Sequence, residues 1–359
     1  MRRTLAYFRG SFLFTAAGLA LGALVGWRSH GTAAGVASTL FVIAVLGVLE
    51  TSISFDNAVV NATVLKDMTP VWRRRFLTWG IAIAVFGMRI VFPLLVVSAV
   101  AWIGPLEALR LAVLEPAEYA RILGSAHAML GAFGGAFLGM VCLKFFLDAE
   151  KDVHWLAAVE RRLARLGKIE AVELALVMVG LWGFSKLVPA HEGHGFLAAG
   201  ILGLVTFIAV DGIGAAMEAG PERMRDVHRA SAASFLYLEV LDASFSFDGV
   251  IGAFALTNEL FVIAIGLGIG AMFVRSLTVL LVDRGTLGSY RYLEHGAFWA
   301  IGALAILMLV GTVVHVPEAA TGLVGAVLIG LSLWSSARHR ARESQAPELA
   351  PSAGPAAAE

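Results

Sequence analysis

Two short stretches of this sequence set carboxylates among apolar residues. "LETSISFDNAVVNA", residues 49–62, carries Glu50, Asp56 and Asn57. "LDASFSFDGVIGA", residues 241–253, carries Asp242 and Asp248, with Glu239 two residues ahead of it. Aligned, Leu49-Glu50 matches Leu241-Asp242, Ser52 and Ser54 match Ser244 and Ser246, and Phe55-Asp56 matches Phe247-Asp248. Each copy is followed by a glycine with an arginine nine residues later, Gly80 with Arg89 and Gly266 with Arg275. An ionised carboxylate at the centre of a membrane helix costs roughly 2.5–3.5 kcal/mol. Five such acids against two arginines leave negative charge for protons or a metal cation to balance. The donors are all oxygens, with no Cys or His in either motif. Hard carboxylate and carbonyl sites suit manganese, calcium and magnesium, whereas thiolate and imidazole favour zinc and copper.

On a continuous helix Glu50 and Asn57 share a face, while Asp56 points about 100° away. Glu239 and Asp242 also share a face. The segment that holds Glu50 is too long for one straight crossing, so a break near Ser54–Asn57 is expected. Such a break would turn Asp56 and Glu50 toward one cavity and free backbone carbonyls as ligands. The serines would then satisfy broken backbone positions or bind the ion weakly.

The elements that must position these groups follow from composition. Of 359 residues, 58% are hydrophobic and 15% charged, and mean hydropathy is +0.81. Soluble domains carry about 25% charged residues. The chain therefore reads as an all-α, polytopic membrane helix bundle. A crossing needs roughly 20 apolar residues. Ten candidates occur, at about 11–27, 34–65, 76–103, 123–147, 170–189, 195–219, 231–256, 260–282, 295–314 and 319–335. They form a single transmembrane domain over 1–335, with repeat copies centred on about 34–103 and 231–282. Residues 336–359, rich in Ala, Pro, Ser and Glu, read as a disordered cytoplasmic tail. The N-terminal apolar run reads as a retained span, not a cleaved leader.

Basic residues precede the first candidate and follow every even-numbered one. Arg73–Arg75, Arg161–Arg165 and Arg223–Arg229 are examples. The positive-inside rule then puts both termini in the cytoplasm of a cell inner (plasma) membrane. With this count the two motif copies run in opposite directions, which makes an inverted repeat of the kind found in secondary transporters. Net charge is zero, and "WRRR" at 72–75 reads as a topology determinant, so no nucleic-acid partner is expected. Cys142 is the only cysteine and reads as a packing residue.

At "LETSISFDNAVV", the arginine of the following span, "GGAFLGMVCLKFFLD" and "LEVLDASFSFDGVIGAF", the chain resembles the TerC-like integral membrane proteins (tellurium-resistance protein C) across most of residues 35–335. That resemblance implies manganese export and a link to tellurite resistance. It also implies a metal-site role for Glu50, Asp56, Asn57, Asp242 and Asp248. Here Gly249 stands where the first copy has Asn57, so one amide ligand is absent from the second copy. Arg89 and Arg275 are read as charge-balancing and Glu239 as part of a candidate ion path; Asp211 and Glu218, seven residues apart on one face, either extend that path or simply lie near the cytoplasmic end of their span. Lys144 and Asp148 are expected to pair at a span end. No resident cofactor is expected: Mn2+, or Ca2+ or Mg2+, is cargo. Partners are the divalent cation, the lipid bilayer, and a second copy or a stress-complex protein.

The leading expectation is a gradient-driven, alternating-access exporter of a divalent cation, because no GxxxxGK[ST] phosphate loop is present. The other reading is a non-transporting scaffold for a metal- or tellurite-stress complex. No enzyme is expected: an aspartyl dyad of Asp56 and Asp248 would have to be built inside a duplicated ion motif.

Overall fold

The structure, a computed structural model, describes residues 2–218, 223–285 and 289–343. Among these residues it is helical throughout its regular segments, with no strand. After a short turn at Arg2–Phe8 come α1 (Arg9–His30), α2 (Ala33–Ile53), α3 (Phe55–Leu65) and α4 (Pro70–Ala101). Two ten-residue helices, α5 (Pro105–Leu114) and α6 (Pro116–Ser125), lead to α7 (His127–Leu147). Then follow α8 (Ala157–Leu166), α9 (Val172–Ser185), α10 (Gly193–Glu218), α11 (Arg223–Leu256), α12 (Leu260–Asp283), α13 (Leu293–Gly311) and α14 (Glu318–Glu343).

Among the described residues, eight helices are long and apolar enough to cross a membrane: α1 with its lead-in, α2, α4, α7, α10, α12, α13 and α14. Two of the ten expected spans differ. The fifth forms α9, only 14 residues long. The seventh forms α11, which is 34 residues long but carries Glu239, Asp242 and Asp248. The expected tail boundary also moves. Helix α14 continues to Glu343, because Ser336 ties it to α13 by accepting from Tyr292 N at 2.9 Å, and Ala and Arg propagate a helix well. Residues 344–359 lie outside the described residues.

Packing is densest around α7 and α12. A large apolar cluster joins α3, α7, α10, α11 and α13 through Phe137, Leu138, Phe196, Leu238 and Ile301. A second, around Tyr119, Leu123, Val97 and Ile263, seats α5 and α6 against α4 and α12. Helices α2 and α12 approach closely at Gly47, Gly266 and Gly270, the small-residue contact that replaces hydrophobic drive inside lipid.

Helix α8 is amphipathic and lies outside the apolar spans. Its buried Glu160 accepts from Trp155 N at 3.0 Å, Leu156 N at 3.1 Å and Trp299 Nε1 at 3.0 Å, and His295 Nδ1 lies 2.9 Å from Oε2. Burial alone would raise this carboxyl. The His295 imidazole, the Trp299 indole and the Leu156 N–H outweigh it and bring it down from 4.5 to about 2. A carboxyl lowered on folding adds stability that is complete above its unfolded value and is lost as pH falls toward its folded one. Glu160 therefore holds α8 at neutral pH and releases it only between about pH 4.5 and 2. Glu160→Ala leaves several buried donors unpaired, each worth about 1–3 kcal/mol. We expect trypsin to cut at Arg161 and Arg162 at least tenfold faster in this variant while the apolar spans stay intact. Wild-type cleavage rates would contradict the docking role.

Candidate functional site

Helices α2 and α3 are one long apolar segment broken at Ser54, whose backbone sits at φ −88°, ψ 20°. The cause is local. Thr51 Oγ1 donates to Gly47 O at 2.7 Å and Ser52 Oγ to Val48 O at 2.8 Å. Such bonds back to the preceding turn bend a helix. The break is where the sequence places it. Ser52 serves the backbone, and Ser54 lines a cavity.

In α4, residues Ile83–Val91 form a π-helical segment. Pro93 has no N–H to offer the Arg89 carbonyl, so the regular ladder cannot continue there. The wider turn aims Arg89 inward, and its guanidinium donates to Ala84 O and to Glu50 Oε1. On α11, Glu239 and Asp242 stand one turn apart and both face Arg275 of α12. Arg275 Nη2 lies 3.7 Å from Glu239 Oε1 and 4.0 Å from Asp242 Oδ2, and its guanidinium stacks 3.8 Å from the centre of the Phe76 ring.

These groups meet. One cavity of about 30 Å³ is lined by Glu50, Asn57, Arg89, Asp242 and Arg275, together with Asn61, Ser54, Ser246 and Thr278. That is room for one or two waters or a largely dehydrated ion. The acid and arginine of the first motif thus face the acid and arginine of the second across a single space. Asn61 Nδ2 donates to Asp242 Oδ1 at 2.6 Å, and the side-chain carbonyl oxygens of Asn57 and Asn61 are buried without partners. With Glu239, three carboxylates stand against two guanidinium groups.

Asn61 was not singled out from the sequence. Its signal was present: it lies four residues after Asn57, on the same helical face. Gly249 also has a clearer role. A Cβ there would come within 3.0 Å of Glu50 Oε2, so the second copy lacks a side chain where the first copy's carboxylate needs room.

Several expected members are placed elsewhere. Asp56 does not share the cavity with Glu50. It is buried beside a second, smaller cavity with Phe245, Gly249, Leu304 and Thr321, and Ser54 lines both spaces. The break spans a single residue, so helical phase carries across it and Asp56 keeps its divergent direction. Its Oδ1 accepts from Asn57 N at 2.9 Å, at the N-terminal end of α3, where a negative charge is favoured. Asp211 pairs with Lys144 between α10 and α7 and is not among the residues that line the cavity. This also replaces the expected pairing of Lys144 with Asp148. The side chains of Asp248 and Glu218 lie outside the described residues. Among the described residues, no three His, Cys, Asp or Glu side chains cluster closely enough to cage a metal by themselves. An ion in the cavity would meet two carboxylates among the described residues, Glu50 and Asp242, with amide and hydroxyl oxygens.

No curated protein and no solved structure matches the chain. A family profile does, over residues 55–343, so that Glu50 and the first two helices precede the matched region. The chain belongs to the family described as "protein of unknown function (DUF475)".

Proposed function

We propose that this protein is a membrane transporter that exports a divalent cation, with manganese the best-suited cargo, by gradient-driven alternating access. The observation that carries this reading is the meeting of both acid–arginine motifs in one buried, water-sized cavity. Two unpartnered amide oxygens there present acceptors to a cation. Apart from the Met88 thioether, the acceptors lining the cavity are oxygens, the set that manganese, calcium and magnesium prefer. Among the described residues no closed three-ligand cage forms, which suits cargo that must leave as readily as it enters. Export and manganese in particular rest on the resemblance to TerC-like proteins.

In this reading α9 and α11 join the eight apolar helices to make ten crossings, both termini face the cytoplasm of the inner membrane, and the motif copies form an inverted repeat. The half-helices at Ser54 and the π-helical turn at Arg89 are the irregular backbone that such sites use. Glu50 and Asp242 bind the ion with Asn57 and Asn61. Arg89 and Arg275 hold the acids in place when the ion has left.

The test is cellular manganese in an exporter-deficient bacterium under manganese stress, at matched membrane levels. Wild type should lower it severalfold, whereas Glu50→Gln, Asp242→Asn and Asp248→Asn should each match the empty vector. Asp56→Asn should also fail if the second cavity belongs to the path. If wild type does not lower manganese, this cargo is wrong. If the acid variants export like wild type, the cavity is not the ion site, and a scaffold role takes its place.

A further inference from the structure

A third and much larger cavity lies away from the charged site. It measures about 520 Å³, within the roughly 300–1,000 Å³ typical of ligand sites. Its walls are α7, α9 and α13, and it is deep because Gly135, Gly139, Gly180 and Gly302 contribute no side chains. Cys142 is the one lining residue with a polar side-chain atom besides Trp299, whose N–H is already given to Glu160. Water needs two to four polar partners and would find almost none here. An empty space of this size would forfeit packing along its whole wall. Two lining residues, Leu176 and Ile306, are 44% and 61% exposed, so the cavity opens on the apolar outer surface of the bundle.

Helix α8 roofs one end. Leu163 lines the cavity one turn beyond Glu160, the residue that pins α8 to α13. The opposite face of α8 carries Arg161, Arg162 and Arg165, all exposed, and Lys168 follows. The helix's own acid is buried and engaged, while the exposed Asp148, Glu150 and Asp152 lie ahead of the helix and Glu170 and Glu173 beyond it, so the basic charge is concentrated on α8 itself. An apolar slot open to the membrane therefore ends beneath a basic helix at its rim. We propose that this cavity holds an acyl chain of an anionic phospholipid whose phosphate is bound by the arginines of α8. A bilayer supplies such chains on every side, and guanidinium groups recognise phosphate by paired hydrogen bonds. The site is independent of the cation cavity and of any transport activity.

The experiment is native mass spectrometry of the full chain, reconstituted in vesicles of phosphatidylethanolamine and phosphatidylglycerol and extracted in mild detergent. Wild type should retain one phosphatidylglycerol per chain. A Cβ at Gly180 meets nothing within 4 Å, so Gly180→Phe can fill the slot without a clash at its root. It should lower retention at least tenfold with the melting temperature unchanged. Replacing Arg161, Arg162 and Arg165 by Gln should keep a bound phospholipid but abolish the preference for phosphatidylglycerol. Should Gly180→Phe fail to fold, Gly139→Leu serves, because a Cβ there meets only Val177 Cγ2 at 3.5 Å. The proposal is overturned by wild-type retention in the filled variants, by a wild-type protein that carries no lipid, or by a bound mass that is a quinone or free fatty acid. A headgroup preference unchanged by the arginine substitutions would overturn the role of α8.

Discussion

Arg89→Met should reach the membrane poorly, and in detergent its melting temperature should fall by at least about 6 °C. Arg89 and Glu50 are both buried and directly bonded, with Arg89 also donating to Ala84 O across the π-helical turn. Removing one partner of a buried pair leaves an uncompensated charge and costs about 3–5 kcal/mol. Only the one or two waters that the cavity admits could soften that cost. Glu50→Gln leaves the guanidinium in the same position and should also destabilise. The double variant removes both charges, and it should recover most of the lost melting temperature while remaining unable to lower cellular manganese. This cycle separates two roles that a single variant confounds: the arginine maintains the fold, and the carboxylate serves the ion. A melting temperature within about 1 °C of wild type for Arg89→Met would mean that the pair does not hold the site together.

The legibility of this site in the sequence depended on how local each feature is. Hydropathy and the positions of the basic loops describe single segments, so all ten expected segments appear as helices even though α9 is short and α11 carries acids. The bend at Ser54 was legible for the same reason: Thr51 and Ser52 bond only to their own preceding turn. Repetition identified Glu50 with Asp242 and Arg89 with Arg275, and these four line one cavity. What stayed hidden is set between helices. Asp56 was expected beside Glu50 because a break was assumed to reset the helical phase, and a one-residue break does not. Lys144 was assigned to Asp148 on its own helix, but α10 brings Asp211 to it. Asn61 acquires its role only because α11 presents Asp242 opposite it. Charges along one helix can be paired by counting, whereas partners across helices depend on packing distances that no spacing rule encodes.

The contact that brings the two motifs together makes the second large-effect prediction. Helices α2 and α12 touch through glycines. A Cβ at Gly266 would lie 2.6 Å from Leu46 Cβ, and one at Gly270 would lie 2.5 Å from Glu50 Cγ and 2.9 Å from Gly47 O. The obstacles at Gly270 include the root of Glu50 and a backbone oxygen, neither of which can swing aside. Gly270→Ala must therefore push the helices apart, a form of overpacking that costs about 1–3 kcal/mol. It also displaces the carboxylate that faces Asp242 and Arg275 across the cavity. Misplacing a binding group by an ångström weakens function far more than it weakens the fold. Gly270→Ala should thus fold with a modestly lowered melting temperature and lose at least tenfold in manganese export, and Gly270→Leu should fail to accumulate. Gly330 in α14 provides the control, since a Cβ there meets nothing within 4 Å. Gly330→Ala should be neutral or stabilising by up to about 1 kcal/mol, as expected for alanine in a helix interior, with export unchanged. Equal behaviour of the two alanine variants would show that close approach of α2 and α12 does not position Glu50.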